Sequence, residues 1–193
     1  MCSSDLAPFR LTYVEIGNED NLNNGTATYR GEGGRFDLFY KAIKAKYPNL
    51  QVVATTDPGV KHDVIDRHDY MAPAAAIRNA HKYDNADRNG PKIFEGEWAS
   101  QEGGLNNNQR PITPTLQAAL GDAAFLTGLE RNADIVIMNC YAPLFTRVEP
   151  NGAGSNWKTD LIGYNSVKSY GSPSYYVQKM FANARGDTVL PVA

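Results

Sequence analysis

The sequence has few cysteines, few histidines and no long apolar run, and each shortage excludes a class of protein. Two cysteines in 193 residues provide no disulfide framework. No apolar run approaches the roughly 18 residues that a membrane-spanning helix needs. Lysine and arginine number 19 against 21 aspartates and glutamates, a formal net charge of -2. This charge gives no electrostatic basis for binding nucleic acid or an anionic membrane, so neither is expected as a partner.

Several motifs of catalysis are also missing. The histidines His62, His68 and His81 form no His-x-x-x-His pair, so no metal site is predicted. No Gly-x-Gly-x-x-Gly follows the first strand pattern, and no serine lies in a Gly-x-Ser-x-Gly elbow. The sequence therefore predicts no cofactor and does not support a serine hydrolase. Cys140 lies in an apolar strand pattern, which favours a buried thiol over a disulfide.

The sequence does contain an alternation of strand and helix patterns. Apolar, β-rich runs are separated by segments whose apolar residues recur every three or four positions. Such alternation is typical of an α/β fold with a parallel sheet. The predicted strands cover residues 11–17, 50–56, 64–70, 92–99 and 134–140, and residues 188–192 are predicted to begin a further strand. The predicted helices cover residues 35–47, 73–83, 114–130 and 174–184, with Thr113 as the cap of the third and Ser172 or Ser174 as the cap of the last.

The spacing of these units limits the architecture. Five strand–helix units average about 38 residues each, and a closed eight-fold barrel at that spacing needs roughly 300 residues. The chain is therefore predicted to be an open five-stranded sheet or part of a barrel. Loops rich in glycine and asparagine, at 21–34 and 100–110, each follow a strand pattern that contains glutamate. Loops at the carboxyl ends of strands are where α/β enzymes build their sites.

Two glutamates are the candidate catalytic residues. Glu19 ends the segment YVEIGNE, and Glu97 lies in the segment IFEGEWA. In both, glycine follows the apolar run and lets the backbone turn at the mouth of a sheet. Two converging carboxyl groups cleave glycosidic bonds, one as acid and base, the other as nucleophile or activator of water. A surface carboxylate or a strand-end ion pair explains each motif equally simply. Glu15 and Glu95 are rivals that lie within the strands, where a buried carboxylate needs a partner.

Four further residues are candidates for contact with a sugar. Asn18 offers an amide that can donate to a hydroxyl group. His68 and Tyr70 share the parity of one strand, so both can face the same cavity, where the tyrosine hydroxyl can orient a nucleophile. Trp98 can stack on a sugar ring. A structural histidine accounts for His68 equally well.

Six segments, in this order and at this spacing, form a signature that none of them carries alone. They are APF at 7–9 with YVEIGNED at 13–20, D-x-H-x-Y at 66–70, RNGPK at 88–92 running into GEWA at 96–99, AAFLTGLERNAD at 123–134, YAPLF at 141–145 and YGSPSYY at 170–176. Together they resemble glycoside hydrolase family 51, the α-L-arabinofuranosidases. The resemblance covers nearly the whole chain after residue 6.

The resemblance implies a partial (β/α)8 TIM barrel. Family members join such a barrel to a β-sandwich, so the chain corresponds to barrel strands four to eight. Residues 7–186 then belong to the catalytic barrel, and residues 187–193 begin a sandwich segment. Residues 1–6 match nothing and are interpreted as a non-native or frayed terminus.

The resemblance also implies roles for the candidate residues. Glu19 corresponds to the general acid/base and Glu97 to the nucleophile of a retaining mechanism, with their carboxyl carbons about 5 Å apart. Asn18, His68 and Tyr70 correspond to ligands of the substrate. Family members often carry an apolar residue where this chain has Glu95, and an inward carboxylate there would disturb the pKa of the nucleophile.

The sequence thus predicts a retaining glycosidase that releases non-reducing terminal α-L-arabinofuranosyl residues from arabinose-containing polysaccharides or oligosaccharides. The alternatives are another retaining barrel glycosidase, of endoglucanase or xylosidase type, and an inactive carbohydrate-binding fragment. No signal peptide is visible, and an extracellular or periplasmic location is compatible with the full-length enzyme. The oligomeric state stays open. We expect the 193-residue chain alone to be marginally folded or aggregating, and inactive, because five of eight strands leave barrel edges open.

Overall fold

The computed structural model describes residues 10–102, 115–148 and 160–190. These residues form an alternating series of strands and helices, which confirms the predicted α/β class. The strands are β1 (Tyr13–Ile16), β2 (Gln51–Ala54), β3 (Val64–Met71), β4 (Lys92–Ser100), β5 (Val136–Tyr141), β6 (Phe145–Arg147), β7 (Ile162–Tyr164) and β8 (Ser169–Gly171). The helices are α1 (Thr26–Tyr29), α2 (Arg35–Lys46), α3 (Pro73–Asn79), α4 (Leu116–Arg131) and α5 (Pro173–Asn183).

The first five strands form one sheet in the order β1-β2-β3-β4-β5. β1 pairs in parallel with β2, with Tyr13 opposite Gln51, and β2 pairs in parallel with β3, with Val53 opposite Val64. The parallel sheet is therefore as predicted. β6, β7 and β8 form a second sheet, parallel between β6 and β7 and antiparallel between β7 and β8. This sheet was not predicted, because strands of three residues are too short to show an alternating pattern.

The chain divides into two compact units, and the first comprises Met1–Asp66 and Pro91–Phe94. Its core contains an aromatic cluster beside the aliphatic residues of β2 and β3. Tyr29 and Phe36 are fully buried, with ring centroids 5.5 Å apart. Tyr40 lies one turn beyond Phe36 on the same face of α2 and stacks on it at 5.7 Å. The helical spacing read from the sequence therefore gives α2 one buried face.

The second unit comprises Arg67–Gly90 and Glu95–Ala193. Here α3 and α4 approach closely at Gly128, where a Cβ atom would lie 2.1 Å from the carbonyl oxygen of Ala80. Phe125 of α4 packs against Trp98 of β4, with ring centroids 5.3 Å apart. The small and aromatic residues of α4 therefore define how tightly the helices cover β4.

The helix caps agree with the sequence in one case and differ in the other. Ser172 caps α5 as predicted, since its Oγ accepts a hydrogen bond from the Tyr175 amide at 3.2 Å. The cap of α4 is Thr115, whose Oγ1 accepts from the Ala118 amide at 3.1 Å. The prediction of Thr113 was wrong by two residues, and Thr113 itself lies outside the described residues. Two threonines in close succession offer the same sequence signal, so position alone could not choose between them.

A buried carboxyl group connects the end of β4 to both long helices of the second unit. Asp122 of α4 is fully buried and accepts hydrogen bonds from the Ser100 amide at 2.8 Å and from Ser174 Oγ at 2.5 Å. Burial raises the pKa of Asp122 to about 6 in spite of these two donors. The three residues fasten α4 and α5 to the strand that carries Glu97.

Two further predictions have outcomes in the fold. Cys140 is exposed on β5, so the prediction of a buried thiol was wrong. β5 is the last strand of its sheet, and it buries Val136 and Tyr141 instead. Residues 188–190 adopt no strand, while residues 191–192 of that predicted strand lie outside the described residues. Within the described part of the chain, no helix has the length and apolar character to cross a membrane.

Candidate active site

Glu19 stands in a tight turn directly after β1. The strand ends at Ile16, Gly17 has a φ of 102°, and Glu19 has a φ of 49°. The left-handed region costs a residue with a side chain on the order of 1–2 kcal/mol, so surrounding contacts must hold Glu19 there. Strain of this kind concentrates at functional sites. The turn leaves Glu19 half-buried and Asn18 exposed.

Asp20 holds this turn in place. Its carboxylate pairs with Arg35 and accepts a hydrogen bond from Thr55 Oγ1 at 2.8 Å, and its side chain is only 10% exposed. Glycine is required at position 17, because a Cβ atom there would lie 1.9 Å from Asp20 Oδ2. We call Asp20, Arg35 and Thr55 the Asp20 clasp. The clasp stabilises the conformation in which Glu19 follows the strand.

Tyr29 connects the ends of β1 and β2 beneath the same turn. Its hydroxyl donates to the carbonyl oxygen of Ile16 at 2.9 Å and accepts from the Thr55 amide at 3.0 Å. Burial raises the pKa of Tyr29, so the phenol stays neutral and keeps both bonds. The two strands that border Glu19 are therefore fixed to each other at their carboxyl ends.

In the second unit, Glu97 receives two side chains from β3. Tyr70 donates a hydrogen bond of 2.6 Å to Glu97 Oε2, and His68 Nδ1 lies 3.6 Å from the same oxygen. The side chain of Glu97 is 34% exposed and that of His68 14%. His68 and Tyr70 thus face one group, as their shared strand parity predicted. A hydroxyl bonded to a carboxylate at this distance makes a strong, charge-assisted hydrogen bond and fixes the orientation of the carboxylate.

Glu95 is separated from solvent and does not compete with Glu97 for a substrate. It is fully buried, and Tyr83 donates a hydrogen bond of 2.6 Å to its Oε2. An inward carboxyl group at this position was expected to need a partner, and Tyr83 is that partner. Burial, followed by the hydrogen bond with Asp69, raises the pKa of Glu95 to about 9.

The structure contradicts the predicted stacking of Trp98 on a sugar. Trp98 is fully buried, its ring lies 5.5 Å from Tyr141, and its Nε1 donates to Asn139 Oδ1 at 3.3 Å. Glu95 is hydrogen-bonded with Asp69, whereas Glu97 meets Tyr70 and His68, the neighbours of Asp69 that point to the other face of β3. Regular alternation would place the two glutamates on one face, so the alternation of β4 shifts at the Gly96–Glu97 step. Trp98 follows Glu97 directly and points to the opposite face, into the core.

Three residues that shape these surroundings were not predicted. The side chains of Asp20, Tyr29 and Tyr83 act through hydrogen bonds to groups that are distant in sequence, and no spacing rule reveals such bonds. Of the three, Asp20 was the easiest to predict from sequence, because an acidic residue directly after a candidate catalytic glutamate needs a cation or a hydrogen-bond donor nearby. Tyr29 lies in a helix of four residues, and Tyr83 lies beyond the end of α3, which stops at Asn79 although the predicted helix reached residue 83.

Comparison with known proteins assigns the family. Residues 5–88 match a family model described as the α-L-arabinofuranosidase 1 domain, and residues 96–193 match one described as the α-L-arabinofuranosidase C-terminal domain. Both halves of the chain therefore match glycosidase families. The chain belongs to the α-L-arabinofuranosidases of glycoside hydrolase family 51.

Relatives and solved structures agree with this assignment. The chain is similar to an extracellular exo-α-L-arabinofuranosidase of Streptomyces chartreusis (39% identity over 95% of this chain) and to α-L-arabinofuranosidase 2 of Arabidopsis thaliana (40% over 95%). It covers 22% and 26% of those proteins, so it spans about a quarter of their length.

The structural matches extend over the same part of the chain. An arabinose-bound structure of the α-L-arabinofuranosidase MgGH51 matches 95% of this chain with a TM-score of 0.83 and 37% identity, and the chain covers 30% of it. A Thermotoga maritima α-L-arabinofuranosidase matches 91% of the chain with a TM-score of 0.66; at 16% identity it supports the fold alone, and the chain covers 40% of it.

Proposed function

We propose that the natural protein containing this chain is a retaining α-L-arabinofuranosidase. Its substrates are arabinose-containing polysaccharides or oligosaccharides, from which it removes non-reducing terminal α-L-arabinofuranosyl residues. The observation that carries the proposal is the oriented carboxylate of Glu97, with Tyr70 at 2.6 Å, within a chain of this family. An accessible carboxylate fixed by a neutral donor is suited to attack a carbon atom.

The proposed reaction is a double displacement by two glutamates. Glu97 attacks the anomeric carbon while Glu19 donates a proton to the departing glycosidic oxygen. The leaving group departs as an alcohol, and the arabinosyl group remains as a covalent ester on Glu97. In the second step, Glu19 is a carboxylate and takes a proton from water while the water oxygen displaces Glu97 from the anomeric carbon. Arabinose then leaves with its original anomeric configuration. We assign the attack to Oε1 of Glu97, since Tyr70 already occupies Oε2. The reaction uses two carboxyl groups and water, so it needs neither metal nor cofactor.

The proposal includes the finer architecture and the substrate contacts. β1 to β5 are strands four to eight of a (β/α)8 barrel, with residues 7–186 in the barrel and residues 187–193 at the start of a sandwich. In such a barrel the active site is built at the carboxyl ends of the strands. Asn18, beside Glu19, and His68 and Tyr70, beside Glu97, then contact the sugar hydroxyls.

A panel of 4-nitrophenyl glycosides tests the function. The natural protein, at its full length, is expected to hydrolyse the α-L-arabinofuranoside with a kcat/KM at least about 100-fold above that for the β-D-xyloside and β-D-glucoside, a margin of about 3 kcal/mol in transition-state binding. A preference for the β-D-xyloside or the β-D-glucoside would contradict the proposal and would indicate another retaining glycosidase. Binding of arabinan without turnover of any substrate would indicate a carbohydrate-binding protein.

Tyr70→Phe is expected to lower kcat about 10- to 100-fold with little change in KM. The substitution removes the hydroxyl that orients Glu97 and leaves the ring, so the loss falls on the attacking geometry. Steady-state kinetics on the arabinofuranoside measure both constants. Tyr164→Phe removes the hydroxyl of a tyrosine on β7 and serves as the matched control. A rise in KM alone would show that Tyr70 binds sugar and does not orient the nucleophile.

A further inference from the structure

A cluster of acidic residues lies on β3 and β4, the strands that carry Tyr70 and Glu97. Glu95 precedes Glu97 by two positions in β4 and is fully buried. Its Oε2 accepts the hydrogen bond from Tyr83 and lies 3.9 Å from Lys82 Nζ. The same ammonium group pairs with Asp69 of β3. Two carboxyl groups and one ammonium group therefore lie together, with Glu95 fully buried and the side chains of Asp69 and Lys82 24% and 27% exposed.

The proton of this cluster resides on Glu95. Burial and then the hydrogen bond with Asp69 raise the pKa of Glu95. Burial also acts to raise the pKa of Asp69, but the hydrogen bond from Glu95 and the positive charge of Lys82 hold it below its ordinary value. Among the described residues, no N–H or O–H group donates to Glu95 Oε1. A proton on that oxygen, donated to the Asp69 carboxylate, satisfies both groups.

The cluster has a direct geometric relation to the site. Asp69 lies between His68 and Tyr70 in β3, so its backbone is the backbone that presents those two side chains. Glu95 lies one residue before the Gly96–Glu97 step at which the alternation of β4 shifts. A hydrogen bond between Asp69 and Glu95 therefore fixes the two strand segments from which Tyr70 and Glu97 project. The 2.6 Å bond between Tyr70 and Glu97 depends on that alignment.

We propose that Glu95 is a positioning residue, a neutral carboxylic acid that links Tyr83 to Asp69 and thereby holds Glu97 in line with Tyr70. This inference rests on the proposed function, since it takes Glu97 as the nucleophile. Glu95 touches neither substrate nor reacting atoms, because it is fully buried. It acts through the backbone of β4.

The cluster also makes the alignment sensitive to alkaline pH. Asp69 and Lys82 face Glu95, as does Tyr83, and the charge of Arg67 acts on Asp69 and Tyr83. The pKa of Glu95 is 4.5 ordinarily and about 9 in the fold. Because the pKa of Glu95 is higher in the folded protein than in the unfolded chain, neutral Glu95 contributes its full stabilisation of the fold below about pH 4.5. This stabilisation declines as the pH rises and is lost once the pH passes about 9. Ionised Glu95 then stands beside ionised Asp69 with one lysine between them.

Three variants of the full-length natural protein test the proposal. Glu95→Gln keeps the shape, accepts from Tyr83 through its amide oxygen and donates to Asp69 through its amide nitrogen. It is expected to retain at least about a third of the kcat on 4-nitrophenyl α-L-arabinofuranoside and to lack the alkaline loss of kcat near pH 9 seen in the unsubstituted protein. Glu95→Ala is expected to lower kcat about 10- to 100-fold at unchanged KM, the scale of a misplaced catalytic group. Glu130→Gln makes the same chemical change at an exposed position of α4 and is expected to change neither constant.

Thermal unfolding between pH 5 and pH 9.5 gives a readout that does not require activity. Glu95→Gln is expected to unfold about 3 °C or more above the unsubstituted protein at pH 9, and the difference is expected to shrink towards pH 5. If the unfolding midpoints of Glu95→Gln and of the unsubstituted protein depend on pH in the same way, Glu95 is not a neutral acid in the fold. A loss of kcat in Glu95→Gln as large as that in Glu95→Ala would overturn the positioning role, because it would show that the ionised carboxylate is required. If no protein of the set hydrolyses any arabinofuranoside, the proposed function fails, while the unfolding data still decide the state of Glu95.

Discussion

Glu97→Ala in the full-length protein is expected to reduce kcat on 4-nitrophenyl α-L-arabinofuranoside by more than about 10⁴-fold, the scale at which hydrolases lose activity when an essential nucleophile is removed. The oriented carboxylate is the group that forms the covalent intermediate, so neither binding nor acid catalysis can replace it. Added azide is expected to restore turnover, because the small anion fits the volume left by the side chain. It attacks from the face that Glu97 used, so the arabinosyl azide has inverted configuration. Nuclear magnetic resonance of the azide product reads the anomeric centre directly.

Glu130→Ala is the matched control for this experiment, since Glu130 is an exposed glutamate of α4. It is expected to leave kcat and KM unchanged with and without azide. Inverted arabinosyl azide from Glu19→Ala, and none from Glu97→Ala, would exchange the two roles. An unaffected Glu97→Ala would remove Glu97 from the mechanism altogether.

Glu19→Ala is expected to discriminate between leaving groups. The leaving group of a natural glycoside departs as an alkoxide unless its oxygen is protonated. Hydrolysis of natural glycosides is therefore expected to fall about 10²- to 10⁴-fold, the usual contribution of general acid catalysis. The 2,4-dinitrophenyl arabinofuranoside needs little protonation, and its kcat/KM is expected to fall less than about tenfold. Azide is expected to accelerate the second step and to give a product of retained configuration. Rates for a series of aryl arabinofuranosides, plotted against the pKa of the departing phenol, measure the effect.

Glu15→Ala provides the control for Glu19. Glu15 lies in β1, four positions earlier, and its side chain is exposed. The substitution is expected to leave the dependence of rate on the leaving-group pKa unchanged. A steep dependence in Glu15→Ala and a shallow one in Glu19→Ala would transfer the acid/base role to Glu15.

Long elements were predictable from the sequence because their signals are repeated many times. The stripe of α2 and the apolar runs of β2 and β4 each contain several residues that obey one period, so an error at one position changes nothing. The facing of His68 and Tyr70 towards Glu97 followed from strand parity in the same way. These inferences depend on repetition along one element.

Features that depend on a single contact could not be predicted. Trp98 was predicted to stack on a sugar because it is an aromatic neighbour of Glu97, but successive residues of a strand face opposite sides, and its indole lies in the core. Cys140 was predicted to be buried because its segment is apolar, but β5 is the last strand of its sheet and exposes both Asn139 and Cys140. Both errors arise because the elements that cover each face of a strand determine its burial, and the sequence of the strand alone does not identify them.

The Asp20 clasp gives the turn at Glu19 a different sensitivity to ions from that of the rest of the first unit. The aromatic core of Tyr29, Phe36 and Tyr40 is apolar packing, which dissolved salt does not weaken. The pair of Asp20 with Arg35 is electrostatic, and the Arg35 side chain is 44% exposed, so counterions reach it within a Debye length of about 8 Å at physiological ionic strength. Rising salt is therefore expected to weaken this pair before it affects the aromatic packing. The stability of the turn at Glu19 is thus expected to depend on salt concentration more than that of the aromatic core.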